Sequence, residues 1–292
     1  MNLTFEQAVA EYLEYIKLKR KEVTYLTHED RIKKHIRPFF KNKLVSEISK
    51  NDILKWQVEI DKLGFKYNYK SSIFYSLSSI YNFLENFYNV DNIVKKVGNF
   101  RNDDISDNGN IWTYEEYKKF INCVDDYKFK ILFEILYFTG LRKGEIMALK
   151  KDDIDLYESK ITINKSITRN HKINTPKTKT STRIISIDNT LTDEIKKYIE
   201  NFNISDNLFD ISFSTLKRKK DYYCKIANVK QIKIHEFRHS HACLLFKNNV
   251  PIDEISYRLG HSKISITTDT YLRYLPKQEK RVISTLNSLR FN

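Results

Sequence analysis

Eight of the ten residues from Phe129 to Phe138 (FKILFEILYF) are apolar, with only Lys130 and Glu134 between them. A helix apolar on nearly all sides belongs in an interior, so this stretch predicts a buried central helix with a domain packed around it. Thr139-Gly140 ends that helix, and Arg142 opens a short one beyond it. Upstream, Thr113 and Glu116 form a capping-box pair ahead of a helix through Phe120, Ile121 and Val124. Downstream, Lys160 to Ile167 and Arg183 to Ile187 alternate apolar and polar residues, as half-buried strands do. A polar hairpin carrying Lys172, Lys177 and Lys179 joins them. Helices are expected at Thr190 to Asn201, about Ser214 to Ala227, His235 to Lys247 and Pro251 to Leu259.

The first hundred residues carry helical periodicity and no convincing strand pattern. Phe5, Ala8, Val9, Tyr12, Leu13 and Ile16 space a helix over Thr4 to Lys21, with Thr4 and Gln7 as its capping box. A second fits Tyr25 to Arg37, with Pro38 expected to end it. Ser49 caps a third, bearing Ile53, Trp56 and Ile60 and stopped at Gly64. The fourth runs from about Tyr69 to Tyr88. Asn99 to Asn110 (NFRNDDISDNGN) is polar and aperiodic and reads as a linker. The fold class is therefore mainly α (α+β). A helical bundle spans 1–98, a linker 99–111, a mixed domain with a small antiparallel sheet 112–275, and a tail 276–292.

Length allows two domains with real cores: 292 residues. No apolar run is long enough to cross a bilayer, and the polar opening MNLTFEQAVAEY does not resemble a signal peptide. A cytoplasmic location is expected. Cys123, Cys224 and Cys243 are far apart and odd in number, so neither a disulfide framework nor a zinc spacing is present. The net charge of +14 points to a polyanionic partner. Charge alone leaves nucleic acid, an anionic membrane surface and an uninvolved basic surface all open.

Ile234 to Leu275 narrows that choice. His235 and Arg238 are three apart and leave one face of a helix, making a surface suited to phosphate and proton handling. His261 and Tyr271 follow. Cleaving a phosphodiester with a side-chain nucleophile requires charge neutralisation, alignment, and a proton for the leaving oxygen. Arg142 and Arg238 suit the first task, as planar guanidinium groups that grip phosphate, although surface ion pairs are the ordinary use of arginine. Glu145, three residues after Arg142, is placed to hold it by an ion pair. His235 and His261 suit hydrogen bonding to phosphate oxygens; His239 and His241 read as capping or packing residues. A metal centre is disfavoured, because no Asp, Glu or Cys sits at ligand spacing with the histidines, and Asp253 and Glu254 belong to a separate helix start.

HEFRHSHA, LGHS and TTDTY, preceded by TGLRKGEI (Thr139 to Ile146) and TPKTKTSTR (Thr175 to Arg183), resemble in order the active-site motifs of the tyrosine recombinase (phage integrase) family. The resemblance implies that Arg142, Lys177, His235, Arg238 and His261 are catalytic and that Tyr271 is the nucleophile. It selects Lys177 over Lys172 and Lys179 as general acid. This chain has Arg273 where the family commonly has a histidine, which leaves Tyr274 as a second candidate nucleophile. The implied reaction is site-specific recombination through a 3′-phosphotyrosyl intermediate, with no cofactor and no metal. It runs between paired double-stranded DNA sites held by a homotetramer, with accessory DNA-bending or directionality proteins as further partners and no membrane. The hairpin wording favours an integrase of a mobile genetic element over a Xer-type chromosome-dimer resolvase; type IB topoisomerase-like relaxation is the other alternative. The tail's Val282, Leu286 and Leu289 form a helical stripe after Pro276. Pattern alone allows it to fold back or to dock on a neighbouring subunit, and the resemblance favours docking.

Overall fold

The computed structural model describes residues 2–102, 111–168, 173–174, 182–271 and 287–288. The chain divides into two compact units, Met1–Ser106 and Asp107–Asn292.

Among its described residues the first unit is built of helices, α1 Phe5–Lys19, α2 Glu22–Arg31, α3 Arg37–Phe40, α4 Lys50–Lys62, α5 Tyr67–Tyr88 and α6 Ile93–Val97, with a lone antiparallel bridge between Thr4 and Leu44. Thr4 and Gln7 cap α1 reciprocally, and Ser49 with Asp52 does the same for α4. The apolar stripes meet in a core containing Phe5, Phe40, Trp56, Ile73 and Leu77.

Pro38 does not end the second helix as expected from sequence. A π-helical turn at Ile32–Ile36 joins α2 to α3, and the Arg37 N–H donates to the Ile32 carbonyl. The extra residue in that turn lets the chain enter α3 with Pro38 in its first turn, where a missing N–H costs nothing. Asn99 and Phe100, expected in the linker, instead belong to this unit. The Asn99 amide donates to Ser71 Oγ at 2.7 Å, and the Phe100 ring packs on Trp56 and Phe74.

The second unit is built on α8, Tyr127–Thr139, whose Ile131, Leu132, Phe133, Ile135, Leu136 and Tyr137 are wholly buried. Before it lies α7, Tyr114–Asn122, and after it α9, Lys143–Ile146. Among the described residues five short strands follow: β1 Ile154–Asp155, β2 Lys160–Ile163, β3 Ser166–Ile167, β4 Ile173–Asn174 and β5 Arg183–Ser186. β1, β2 and β5 form an antiparallel sheet with Ile161 opposite Ile185, while β3 and β4 pair separately. The single strand expected over Lys160 to Ile167 is thus two. It breaks where the Lys165 ammonium reaches the buried Asp153 carboxylate at 2.7 Å. The remaining helices are α10 Asn189–Asn201, α11 Phe213–Ile226, α12 Ile234–Lys247, α13 Ile252–Leu259 and α14 Ile264–Tyr271.

β3 lies against α9 through Gly144. A Cβ on Gly144 would sit 2.4 Å from Ser166 Oγ and 2.7 Å from the Ile167 carbonyl oxygen. Backbone cannot yield as a flexible side-chain tip can, so Gly144→Ala is expected to cost about 1–3 kcal/mol, read as a Tm lowered by about 2–4 °C per kcal/mol. An unchanged Tm would mean that β3 moves aside freely.

Candidate active site

Gly140 ends α8 in the left-handed region (φ +66°). A Cβ there would lie 2.8 Å from both His241 Cδ2 and Leu259 Cδ2, so glycine lets the end of α8 close on α12 and α13. The chain then reaches Arg142, the N-cap of α9. Its backbone N–H and its Nη1 each donate to Glu145, both at 2.8 Å, so one carboxylate holds both ends of the residue. The side chain keeps 36% exposure.

Arg238, on α12, is only 1% exposed. Its Nη1 donates to the Gly140 carbonyl at 2.9 Å and its Nη2 to the Leu259 carbonyl at 2.5 Å. Arg142 Nη2 reaches the next carbonyl, Gly260, at 3.4 Å. The two arginines proposed from sequence are therefore brought to adjacent peptide groups at one helix end.

His235 stands one turn ahead of Arg238 on α12, exposed, with its ring edge-on to His239 at 4.8 Å between centroids. Desolvation lowers its pKa, and the charges of Arg238, Arg142 and Lys143 add to this. His261 follows α13, its Nδ1 2.7 Å from the hydroxyl of the buried Thr267 on α14. Desolvation takes its pKa down to about 4, with Arg238, Arg142 and Arg183 contributing. Both imidazoles are neutral at pH 7 and can share protons with a phosphate. Tyr271 is the last residue of α14. Lys177, Lys172 and Lys179 lie outside the described residues, as do Arg273 and Tyr274. Among the described residues, no group of three His, Cys, Asp or Glu side chains could hold a metal ion, and no helix is long and apolar enough to cross a membrane.

Residues 111–278, more than half of the chain, match the phage integrase family, and residues 4–60 match the phage integrase N-terminal SAM-like domain. The chain belongs to the phage integrase family. It is a tyrosine recombinase, an enzyme that breaks and rejoins DNA strands. The ICEBs1 integrase of Bacillus subtilis (strain 168) is 27% identical over 99% of this chain and 84% of its own length. A XerC-like tyrosine recombinase of Caldanaerobacter subterraneus subsp. tengcongensis is 28% identical over 94% of this chain and 80% of its own. The Tn1549 transposon integrase, solved in complex with a circular intermediate DNA, shares the fold. Its TM-score is 0.81 at 18% identity, covering 97% of this chain and 99% of that one.

Two arginines of the recombinase escaped the sequence reading as site residues. Arg183, at the start of β5, is buried and donates from Nη1 and Nη2 to the two oxygens of Glu145 at 3.1 and 2.9 Å. Strand parity could have found it, since Arg183 shares the inward face of Ile185. Arg258, on α13, donates to the carbonyls of Ser186 and Phe138 and to His241 Nε2. No local pattern marks it, because its acceptors come from three distant segments. Its bond places the proton of the neutral His241 ring on Nδ1. Burial, followed by the charge of Arg258, holds that ring's pKa down at about 3.

These groups give the recombinase an acid-sensitive interior. Burial alone would raise the Glu145 pKa, but the Arg183 hydrogen bonds and charge, with the charge of Arg142, hold it at about 2. The unfolded chain binds more protons than the folded one through His241 and His261 below about pH 6.5, and through Glu145 below about pH 4.5. Stability must then fall as pH drops from 6.5 toward 4, and unfolding must take up protons. Denaturant midpoints measured across that range check the slope; a flat profile would contradict it.

Proposed function

We propose that this recombinase is the integrase of a mobile genetic element, exchanging strands between paired double-stranded DNA sites through a 3′-phosphotyrosyl intermediate on Tyr271. The observation that carries the catalytic reading is the convergence of Arg142, Arg238 and the neutral His261 on the end of α13, with the neutral His235 one turn ahead of Arg238 on α12. Two fixed cations next to neutral proton-sharing groups suit the charge that builds on a phosphate under attack. Arg142 and Arg238 bind the non-bridging oxygens, and Glu145 orients Arg142. His235 and His261 hydrogen-bond the phosphate and assist proton transfer. Lys177 protonates the departing 5′ oxygen. The covalent link conserves the phosphodiester's energy, so the exchange needs neither ATP nor a metal.

The named relatives support the mobile-element assignment, as the Bacillus subtilis protein is an integrase and the Tn1549 protein is the integrase of a transposon. The XerC-like relative supports a chromosome-dimer resolvase as the second reading. In either case we place the enzyme in the cytoplasm as a homotetramer on DNA, with DNA-bending or directionality proteins assisting; the tail 276–292, expected to dock on a neighbouring subunit, lies outside the described residues except for 287–288.

A duplex spanning the element's junction, with sulfur replacing the bridging 5′ oxygen at the cleavage point, tests the chemistry. Wild-type protein should accumulate a 3′-phosphotyrosyl adduct, since the thiolate leaves without a proton and rejoins poorly. Lys177→Ala should be inactive on ordinary DNA and active on the sulfur substrate. Rescue of Lys179→Ala instead would move the general acid by two residues, and a 5′-linked adduct would sink the reaction class.

A further inference from the structure

A helix leaves its last carbonyl groups without partners inside the helix. At the end of α13 three consecutive carbonyl oxygens accept hydrogen bonds from three different guanidinium groups. Arg258 O accepts from Arg183 Nε at 2.9 Å, Leu259 O from Arg238 Nη2 at 2.5 Å, and Gly260 O from Arg142 Nη2 at 3.4 Å. These arginines come from β5, α12 and the N-cap of α9. Arg238 and Arg183 are both buried, so backbone dipoles, with Glu145, hold charges that water does not reach. The negative end of the α13 dipole favours cations at this place.

Gly260 shapes the arrangement. It sits at φ +68° and ψ +48°, and the His261 N–H returns to the Ser256 carbonyl at 3.1 Å. That bond is the outer one of a Schellman turn. It reverses the chain within one residue, turning the last carbonyls toward the arginines and setting His261 immediately after them. Arg258 anchors the same end from its side chain, through Ser186 O at 2.9 Å and Phe138 O at 3.0 Å.

We propose that the carboxyl end of α13, with Gly260 as its positioning residue, sets the geometry of the catalytic arginines through backbone carbonyls. The inference rests on the catalytic reading given above. Gly260 touches no substrate; it acts through Arg238 and Arg142. A residue with a Cβ pulls this position out of the left-handed region and rotates the peptide groups on either side. Asn tolerates that region better than Ala.

The test is single-turnover cleavage of the sulfur-bridged duplex by the full chain, read against the Kd for the same DNA. Gly260→Ala should slow cleavage about tenfold or more, while Kd stays within about threefold and Tm within a few degrees. Gly260→Asn should recover most of the rate. In an Arg238→Lys background the Gly260→Ala effect should shrink, because the group being positioned is already gone. Full additivity, or equal losses in binding and cleavage, overturns the inference. If Arg238→Lys itself cleaves like wild type, the catalytic reading falls and takes this one with it. If Arg238→Lys is slow but Gly260→Ala is not, only the positioning role falls. Should Gly260→Ala not fold, Arg258→Lys carries the test. A lysine cannot span the Ser186, Phe138 and His241 acceptors, so cleavage should fall about fivefold or more with binding kept, and an unchanged rate overturns the proposal.

Discussion

Tyr271→Phe is expected to bind DNA as tightly as the wild-type protein and to form no SDS-resistant adduct. The substitution removes one oxygen and keeps the ring. Removing a nucleophile abolishes the covalent step outright, typically by about 10⁴-fold or more. Binding should survive, because Arg142 and Arg238, proposed above to bind the phosphate, are held by Glu145 and by backbone carbonyls of Gly140, Leu259 and Gly260. The placement of α14 is likewise secured by Thr267, which is fully buried and bonded to His261. A denaturing gel after incubation with end-labelled DNA reads the adduct, and a mobility shift reads binding. An adduct that persists in Tyr271→Phe would transfer the nucleophile's role to Tyr274. Loss of binding together with cleavage would make Tyr271 a DNA contact instead.

The largest effect on stability is expected at Arg183. Its guanidinium and the Glu145 carboxylate are 2% and 5% exposed and bonded at two points. Arg183→Ala strands the Glu145 charge in the interior with Arg142 as its remaining partner among those described above. Breaking a buried pair from one side costs about 3–5 kcal/mol, which for a unit of this size lowers Tm by roughly 10 °C. The pH dependence gives a second, independent readout. With Arg183 present, Glu145 stays ionised to about pH 2, and its stabilising contribution is complete above its unfolded pKa. Without Arg183 the carboxyl protonates more readily. The gap between wild type and variant should therefore narrow as pH falls from about 4.5 toward 2. A constant gap would mean that Arg183 stabilises by packing its methylenes and not by its charge. Glu145→Gln should narrow the gap in the same way while loosening Arg142, lowering cleavage as well as stability.

Which parts of this protein could be read from its residues follows from the range of the forces involved. Capping boxes at Thr4, Ser49 and Thr113 are contests between a side chain and backbone amides within four residues. The buried α8 follows from an apolar run that no surface could accommodate. Arg142, His235, Arg238, His261 and Tyr271 could be singled out because each lies in a short motif, and the family match over 111–278 gives those motifs their context. Tertiary structure decided what bonds across long separations. The passage of a helix through Pro38 depends on one extra residue in the preceding turn. The break after Ile163 depends on a lysine finding Asp153, twelve residues before it. The burial of Arg238 and Arg183 depends on carbonyls at the end of α13, 21 and 75 residues away in sequence. A carbonyl oxygen has no residue type, so no sequence pattern can announce that it will hold an arginine. Only the packing of β5, α9 and α12 around one helix end determines it.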